Sequence, residues 1–261
     1  MNKHHRLHAT YRRLTTLFKI YTSLVKSGKK RELIKKRRDF FLQFLNAGDI
    51  FFDIGANYGN RIEPIINEGI KIIAVEPQDA CAQYLKTKYK NKITVESCGL
   101  SDKKGIQKMY ISNASPLSSF SKEWIMATQQ SGRFRKYSWH NEQLIEMDTL
   151  DNLIKKYGKP KFIKIDVEGY EYEVLKGLSD MVKTLSFEYT IPERKQSVLE
   201  CIDRIIEIGG ENNILFNYSA GESMKWALDD WITSVEMKEE IEKQRFVNSE
   251  FGDIYVKTKA H

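Results

Sequence analysis

Short apolar runs alternate with stretches of helical spacing along most of the chain, and this alternation limits the fold more than any other feature of the sequence. DIFFDI (49–54), KIIAVE (71–76), KITVES (92–97), KFIKID (161–166), TLSFEY (184–189), NILFNY (213–218) and DIYVK (253–257) read as seven strands of one main sheet. Helical patterns fill the gaps at 60–68, 79–89, 149–157, 170–178, 194–208 and 225–243. Strands joined through helices need crossover connections, and these place helices on both faces of a sheet. IQKMYI (106–111) and QLIEM (143–147) are candidates for additional edge strands. At 261 residues the chain has room for one large α/β domain with appendages.

One segment breaks the alternation. Residues 112–141 are rich in Ser, Arg and aromatics. An irregular stretch of that length inside a compact domain is usually functional, so it is a candidate substrate lid.

Charge divides the chain unevenly. Residues 1–38 hold 13 Lys or Arg against Glu32 alone, a net of +12, which leaves 29 basic and 34 acidic residues, a net of −5, for the rest. Leu7, Tyr11, Leu14, Phe18, Tyr21 and Val25 recur at the period of one helical face. Residues 1–45 therefore read as a basic amphipathic helical extension and residues 46–261 as the main domain. Two readings of the extension stay open. It can lie on an anionic membrane surface, or it can bury its stripe on the body or in a homo-oligomer. Nucleic acid is the weaker partner, because basic charge alone attracts phosphate without any recognisable binding motif beside it.

No run approaches the roughly 18 apolar residues of a membrane span, and the first 30 residues lack a signal-peptide core. The expected location is cytoplasmic, or peripheral at the inner membrane face. Cys81, Cys98 and Cys201 are widely spaced, without CxxC, and suggest neither a disulfide framework nor a zinc site.

Three stretches carry chemistry. In FFDIGANYGN (51–60), an apolar strand ends at Asp53 and turns through Gly55, Asn57 and Gly59 toward a helix expected near Asn60. Glycines admit a ligand to the backbone, and a helix start offers free N–H groups. The spacing is not the GxGxxG of a dinucleotide site, and an Asp before the turn repels pyrophosphate while favouring a cation. The second strand ends at Glu76, 23 residues after Asp53, where a carboxylate can accept both hydroxyls of a ribose. An adenosine without a diphosphate follows from the pair. In FIKIDVEGYE (162–171), Lys164, Asp166 and Glu168 charge one face of an apparently central strand, which in a parallel sheet is normally apolar on both faces.

Together with AVEP, CGLSD, SPLSSF and DTLD, these stretches resemble the FkbM family of S-adenosylmethionine-dependent methyltransferases over about residues 48–190. The resemblance implies a Rossmann-like class I methyltransferase fold, seven-stranded and mainly parallel with the last strand antiparallel, and an O-methyltransferase acting on a sugar, glycan or glycolipid hydroxyl. It implies that Asp53, Gly55, Asn57 and Gly59 surround the methionine part of S-adenosylmethionine, that Glu76 holds its ribose, and that Ser101 and Asp102 lie near its adenine. Asp166 and Glu168 would face the transferable methyl. Gln78 departs from the family's usual EPNP.

The sulfonium carries an activated methyl, so the protein must chiefly align the acceptor and exclude water. A base for the hydroxyl proton remains to be supplied. Asp166 and Glu168 are the first candidates, with His140, in the lid segment, as a third. Glu188 is a further acid expected to contact substrate, and Asp166 and Glu168 with another acid offer oxygen ligands suited to a divalent metal. NASPLSSFSK (113–122) can bond a polyhydroxylated acceptor, and Phe120, Trp124, Phe134, Tyr137 and Trp139 can stack on sugar faces or anchor the segment to the body. Two other functions stay open on the sequence: methylation of RNA, protein or a small metabolite, and a non-catalytic nucleotide-binding scaffold.

Overall fold

The computed structural model describes residues 28–259. The chain runs through α1 (Gly28–Phe41), β1 (Ile50–Ile54), β2 (Lys71–Val75), α2 (Asp79–Tyr89), β3 (Ile93–Glu96), β4 (Gly99–Leu100) and β5 (Gly105–Ile111). It continues through α3 (Lys122–Gln130), β6 (Asn141–Asp148), α4 (Leu150–Tyr157), β7 (Phe162–Ile165), α5 (Glu171–Lys176) and β8 (Thr184–Thr190). α6 (Lys195–Gly209), β9 (Ile214–Ala220), α7 (Ser234–Glu242), α8 (Gln244–Val247) and β10 (Phe251–Thr258) complete it.

Seven strands form one sheet in the order β3-β2-β1-β7-β8-β10-β9, with β10 antiparallel to both neighbours. All seven expected strands are present, each within two residues of its expected ends. The order reverses between β1 and β7, so their carboxyl ends frame the crevice where such sheets bind ligands.

Alternation along the strands separates two cores. Phe52, Ile54, Ile163, Ile165, Leu185, Phe187 and Ile254 point to the face that also buries residues of α4–α8. Phe51, Phe162 and Tyr255 point to the other, where Phe40 and Phe41 of α1, then Leu45, close the core. The end of α1, inside the extension expected over residues 1–45, thus packs its aromatic side chains on the sheet. The apolar stripe from Leu7 to Val25 lies outside the described residues.

Two expected helices differ. Residues 60–69 form successive turns, in which Ile62 and Glu63 N–H donate to Gly59 O at 3.1 and 3.0 Å. Pro64 sits inside this stretch and removes the donor an α-helix would need there, while Ile62 and Ile65 remain buried. Residues 225–233 are also irregular, and α7 starts at Ser234, where Thr233 and Glu236 form a reciprocal cap.

The candidate edge strands leave the main sheet. β5 and β6 pair with each other and with β4 in a separate three-stranded sheet. Residues 112–141 carry α3, whose Trp124 is wholly buried, and Phe134 and Trp139 pack against it at 5.4 and 6.4 Å between ring centroids. These aromatics thus pack on one another, while Phe120 meets Tyr170 of the body at 5.3 Å between ring centroids.

The face carrying Phe51 and Phe162 changes character toward its carboxyl edge. Asp53 lies in register with Lys164, and Lys164 with Ser186. The Lys164 ammonium is fully buried and reaches Asp253 at 2.6 Å and Asp166 at 3.5 Å. Small Ser186 leaves room for that reach across β8. Removing one member of a buried ion pair leaves an uncompensated charge, typically at about 3–5 kcal/mol. Lys164→Met should therefore lose about that much in denaturant unfolding, and Lys164→Met with Asp253→Leu should recover part of it. A single-variant loss below about 1 kcal/mol would contradict a structural role for the pair.

Candidate functional site

At the end of β1 the chain crosses onto β2, with Gly55 and Ala56 N–H donating to Val75 O at 2.9 and 3.1 Å. Gly55, Asn57 and Gly59 all take left-handed backbone angles. Their small size answers to protein neighbours: a Cβ on Gly55 would lie 1.8 Å from Asp166 O, and one on Gly59 would lie 2.8 Å from the Tyr89 ring. The expected helix start at Asn60 is absent, so the turn offers no helix dipole.

Glu76 organises this corner. Its carboxylate accepts from Asn57 N–H at 2.7 Å and Gln78 N–H at 2.8 Å. The residue is 2% exposed, and burial pushes its carboxyl up to about 7 against those hydrogen bonds. Asp53, 1% exposed beneath the turn, has no hydrogen-bond partner on either oxygen. Burial raises it to about 6, opposed by Arg61 and Lys164.

At the end of β7, Asp166 N–H extends the sheet pairing to Ile54 O at 2.9 Å. The loop that follows is braced from within by Glu171, whose carboxylate accepts from Val167 and Gly169 N–H at 3.1 and 3.2 Å. From outside, Ser119 Oγ donates to Glu168 O at 2.6 Å, and a Cβ on Gly169 would strike Trp124 at 2.4 Å. Asp166 and Glu168 therefore do not cap α5, and Glu171 takes the bracing role.

A cavity of about 360 Å³ runs along the carboxyl edge of the sheet. Asn57, Glu76 and Gln78 line it near β1 and β2, Asp166, Glu168 and Glu188 near β7 and β8, and Arg133, Phe134, Thr190, Glu222 and Phe251 beyond. Asp166 is ion-paired with Arg61 and Lys164. Burial opposes the charge on Asp166, and these two cations overcome it, holding its carboxyl below the usual range. Burial and the Asp166 charge push Glu168 and Glu188 well above theirs.

Asp166, Glu168 and Glu188 each bring an oxygen within 4.8 Å of the others, a spacing that a divalent ion would accept. Such an ion would sit beside Arg61 and Lys164, two buried cations that already engage Asp166.

Of the residues expected at the site, Gly55, Asn57, Glu76, Asp166 and Glu168 meet on the cavity wall, with Asp53 buried beneath. Gly59 does not line it, being packed on Tyr89. Ser101 is buried instead beside Tyr170, whose hydroxyl lies 3.2 Å from Ser101 Oγ, and Asp102 is exposed next to it. Both lie off the cavity lining, because residues 99–102 turn away into the small sheet. His140 is exposed just before β6 and does not reach the cavity. Arg61, Arg133 and Glu222 are additional wall residues that sequence reasoning missed. Arg61 left one signal, a cation directly after the turn motif.

The model of the methyltransferase FkbM domain matches residues 53–255. Among solved structures, a TehB-like SAM-dependent methyltransferase from Corynebacterium glutamicum aligns with a TM-score of 0.51 at 9% identity, covering 96% of this chain and 99% of that one. An O-methyltransferase from Bacillus cereus in complex with SAH gives 0.44 at 10% identity, covering 94% and 90%. A precorrin-6y C5,15-methyltransferase from Geobacter metallireducens gives 0.42 at 10%, covering 85% and 87%. A search of curated proteins found no match. The first likeness supports the class I fold, and the domain match spans most of the chain. The chain belongs to the FkbM family and is an S-adenosylmethionine-dependent methyltransferase.

Proposed function

We propose that this enzyme methylates a hydroxyl group of a sugar, in a glycan or glycolipid presented at an anionic membrane surface. The observation that carries the reading is the part of the cavity beyond Asp166. There Glu168, Glu188 and Thr190 offer hydrogen-bond partners for hydroxyls beside the rings of Phe134 and Phe251, and Phe251 is 40% exposed. Sugars present this combination of hydroxyls and C–H faces.

The residues present fit the cofactor. A cavity of about 360 Å³ is of ligand size. Glu76 has acceptor capacity left after its two backbone bonds and would hold the ribose hydroxyls. The unpaired Asp53 carboxylate puts negative charge beneath the turn, where cationic groups of the ligand are favoured. When bound, S-adenosylmethionine supplies a methyl on a positively charged sulfur. The chain's own part is placement. The braced 166–170 loop fixes Asp166 and Glu168, Arg61 and Lys164 keep Asp166 ionised, and the 112–141 segment contributes Leu117, Phe120 and Phe134 to the cavity wall.

The location rests on α1. Arg31, Lys35 and Lys36 are exposed on it, while Arg37 of the same helix donates to Glu222 on the cavity wall at 2.8 Å. This supports a basic surface beside the cavity, suited to anionic lipid. No helix of the described residues is long and apolar enough to cross a membrane.

Two measurements follow. Glu76→Ala should weaken S-adenosylmethionine and S-adenosylhomocysteine binding roughly 10- to 100-fold by calorimetry, the usual worth of hydrogen bonds to a charged group. Unchanged affinity would remove Glu76 from the ribose role. Incubating the enzyme with methyl-labelled S-adenosylmethionine and separate glycolipid, RNA and protein fractions should place the label in glycolipid as a base-stable ether. Label confined to RNA or protein would overturn the acceptor class.

A further inference from the structure

The carboxyl cluster at the centre of the cavity is compensated unequally. Asp166, Glu168 and Glu188 each bring an oxygen within 4.8 Å of the other two. Arg61 and Lys164 both close their contacts on Asp166, and Lys164 also binds Asp253. Arg133, the other cation on the wall, is taken by Glu193 and Glu250. Among the ion pairs of the described residues, none reaches Glu168 or Glu188. The remaining charges packed around that pair are acidic. Glu171 lies behind the loop, Asp253 faces Glu188 across the strands, Asp53 lies near the base of β1's turn, and Glu222 is held by Arg37. Two half-buried carboxylates this close to each other and to Asp166 oppose one another's ionisation.

We propose that Glu168 and Glu188 hold one proton between them in the free enzyme, that they release it when a sulfonium occupies the cavity, and that Glu188 is then the base for the acceptor. Burial and the Asp166 charge push both carboxyls up, and the Glu188 carboxyl also hydrogen-bonds the Asp166 carboxylate. Glu188 takes the base role because it stands on β8, on the acceptor side of the strand order, two residues from Thr190 and fixed in register with Asp253. Glu168 lies on the loop after β7, closer to the β1 turn.

The inference rests on the acceptor atom being a hydroxyl oxygen. That oxygen bonds to the methyl carbon as the carbon–sulfur bond breaks, and the bonding pair stays on sulfur. The hydroxyl proton passes to Glu188 Oε. The pair again holds one proton, beside a neutral thioether. The proton that the whole reaction liberates thus leaves at cofactor binding, and the transfer step itself returns the pair to its starting state.

S-adenosylmethionine and S-adenosylhomocysteine differ by one methyl and one positive charge, so comparing them isolates the effect. Calorimetry near pH 7, in buffers of differing ionisation enthalpy, should show about one proton released by S-adenosylmethionine and about none by S-adenosylhomocysteine. The pair is protonated when free and binding favours its ionised form. The affinity of S-adenosylmethionine relative to S-adenosylhomocysteine for wild type should therefore rise with pH, by up to about tenfold per unit over the range in which the pair titrates. In Glu168→Gln with Glu188→Gln, both differences should vanish. Equal release by the two ligands, or a flat ratio in wild type, overturns the proposal without needing a folded variant. Proton release on adding magnesium alone, with cofactor binding lost in a chelator, would also overturn it and make the cluster a metal centre. None of these readouts uses an acceptor. The hydroxyl reading fails separately, if labelled product carries its methyl on nitrogen or carbon.

Discussion

A lysine ammonium with no access to water is the constraint on which this site depends. Lys164 stands on the central strand β7, where a parallel sheet would ordinarily place an apolar side chain. In the low dielectric of the interior its charge must be met by anions, and Asp253 and Asp166 meet it. Asp166 is met in turn by Arg61, which comes from the turn segment after β1. A chain of alternating charges thus links the antiparallel last strand, the central strand and the first turn, and it fixes the floor of the cavity before any ligand arrives.

Pre-organisation of this kind suits methyl transfer. The reagent is already activated, so what the protein adds is fixed geometry and charge of the right sign. Cations hold Asp166 as an anion, while the same crowding leaves Glu168 and Glu188 as the carboxyls whose protonation responds to a positive ligand. The loop that carries Glu168 is strained, with a non-glycine residue in the left-handed region, and Glu171, Ser119 and Trp124 brace it in that shape. The 112–141 segment therefore does structural work at the site.

Much of this was legible in the sequence because strand patterns are local. Seven runs of apolar residues became seven strands, and the charged faces of β1 and β7 and the end of β2 marked the crevice. What was not legible depended on contacts distant in sequence. Gly55 and Gly59 read as room for a ligand, yet the side chains they forgo would strike Asp166 and Tyr89. The spacing of Ile62, Ile65 and Ile66 imitates a helix that Pro64 interrupts. Ser101, Asp102 and His140, chosen from motif or residue type alone, do not line the cavity. Arg133 and Glu222 follow no motif, and only the folded chain brings them to the wall.

The central claim is that the cofactor spans the carboxyl ends of β2, β1 and β7, with its ribose on Glu76 and its sulfur beside Asp166 and Glu168. An experimental structure with S-adenosylhomocysteine bound tests this most directly. The account predicts both ribose hydroxyls within hydrogen-bond distance of the Glu76 carboxylate and the sulfur facing the Asp166–Glu168 loop, with Glu188 across the cavity from it. A ribose bound away from Glu76, or a sulfur directed away from β7, would contradict it.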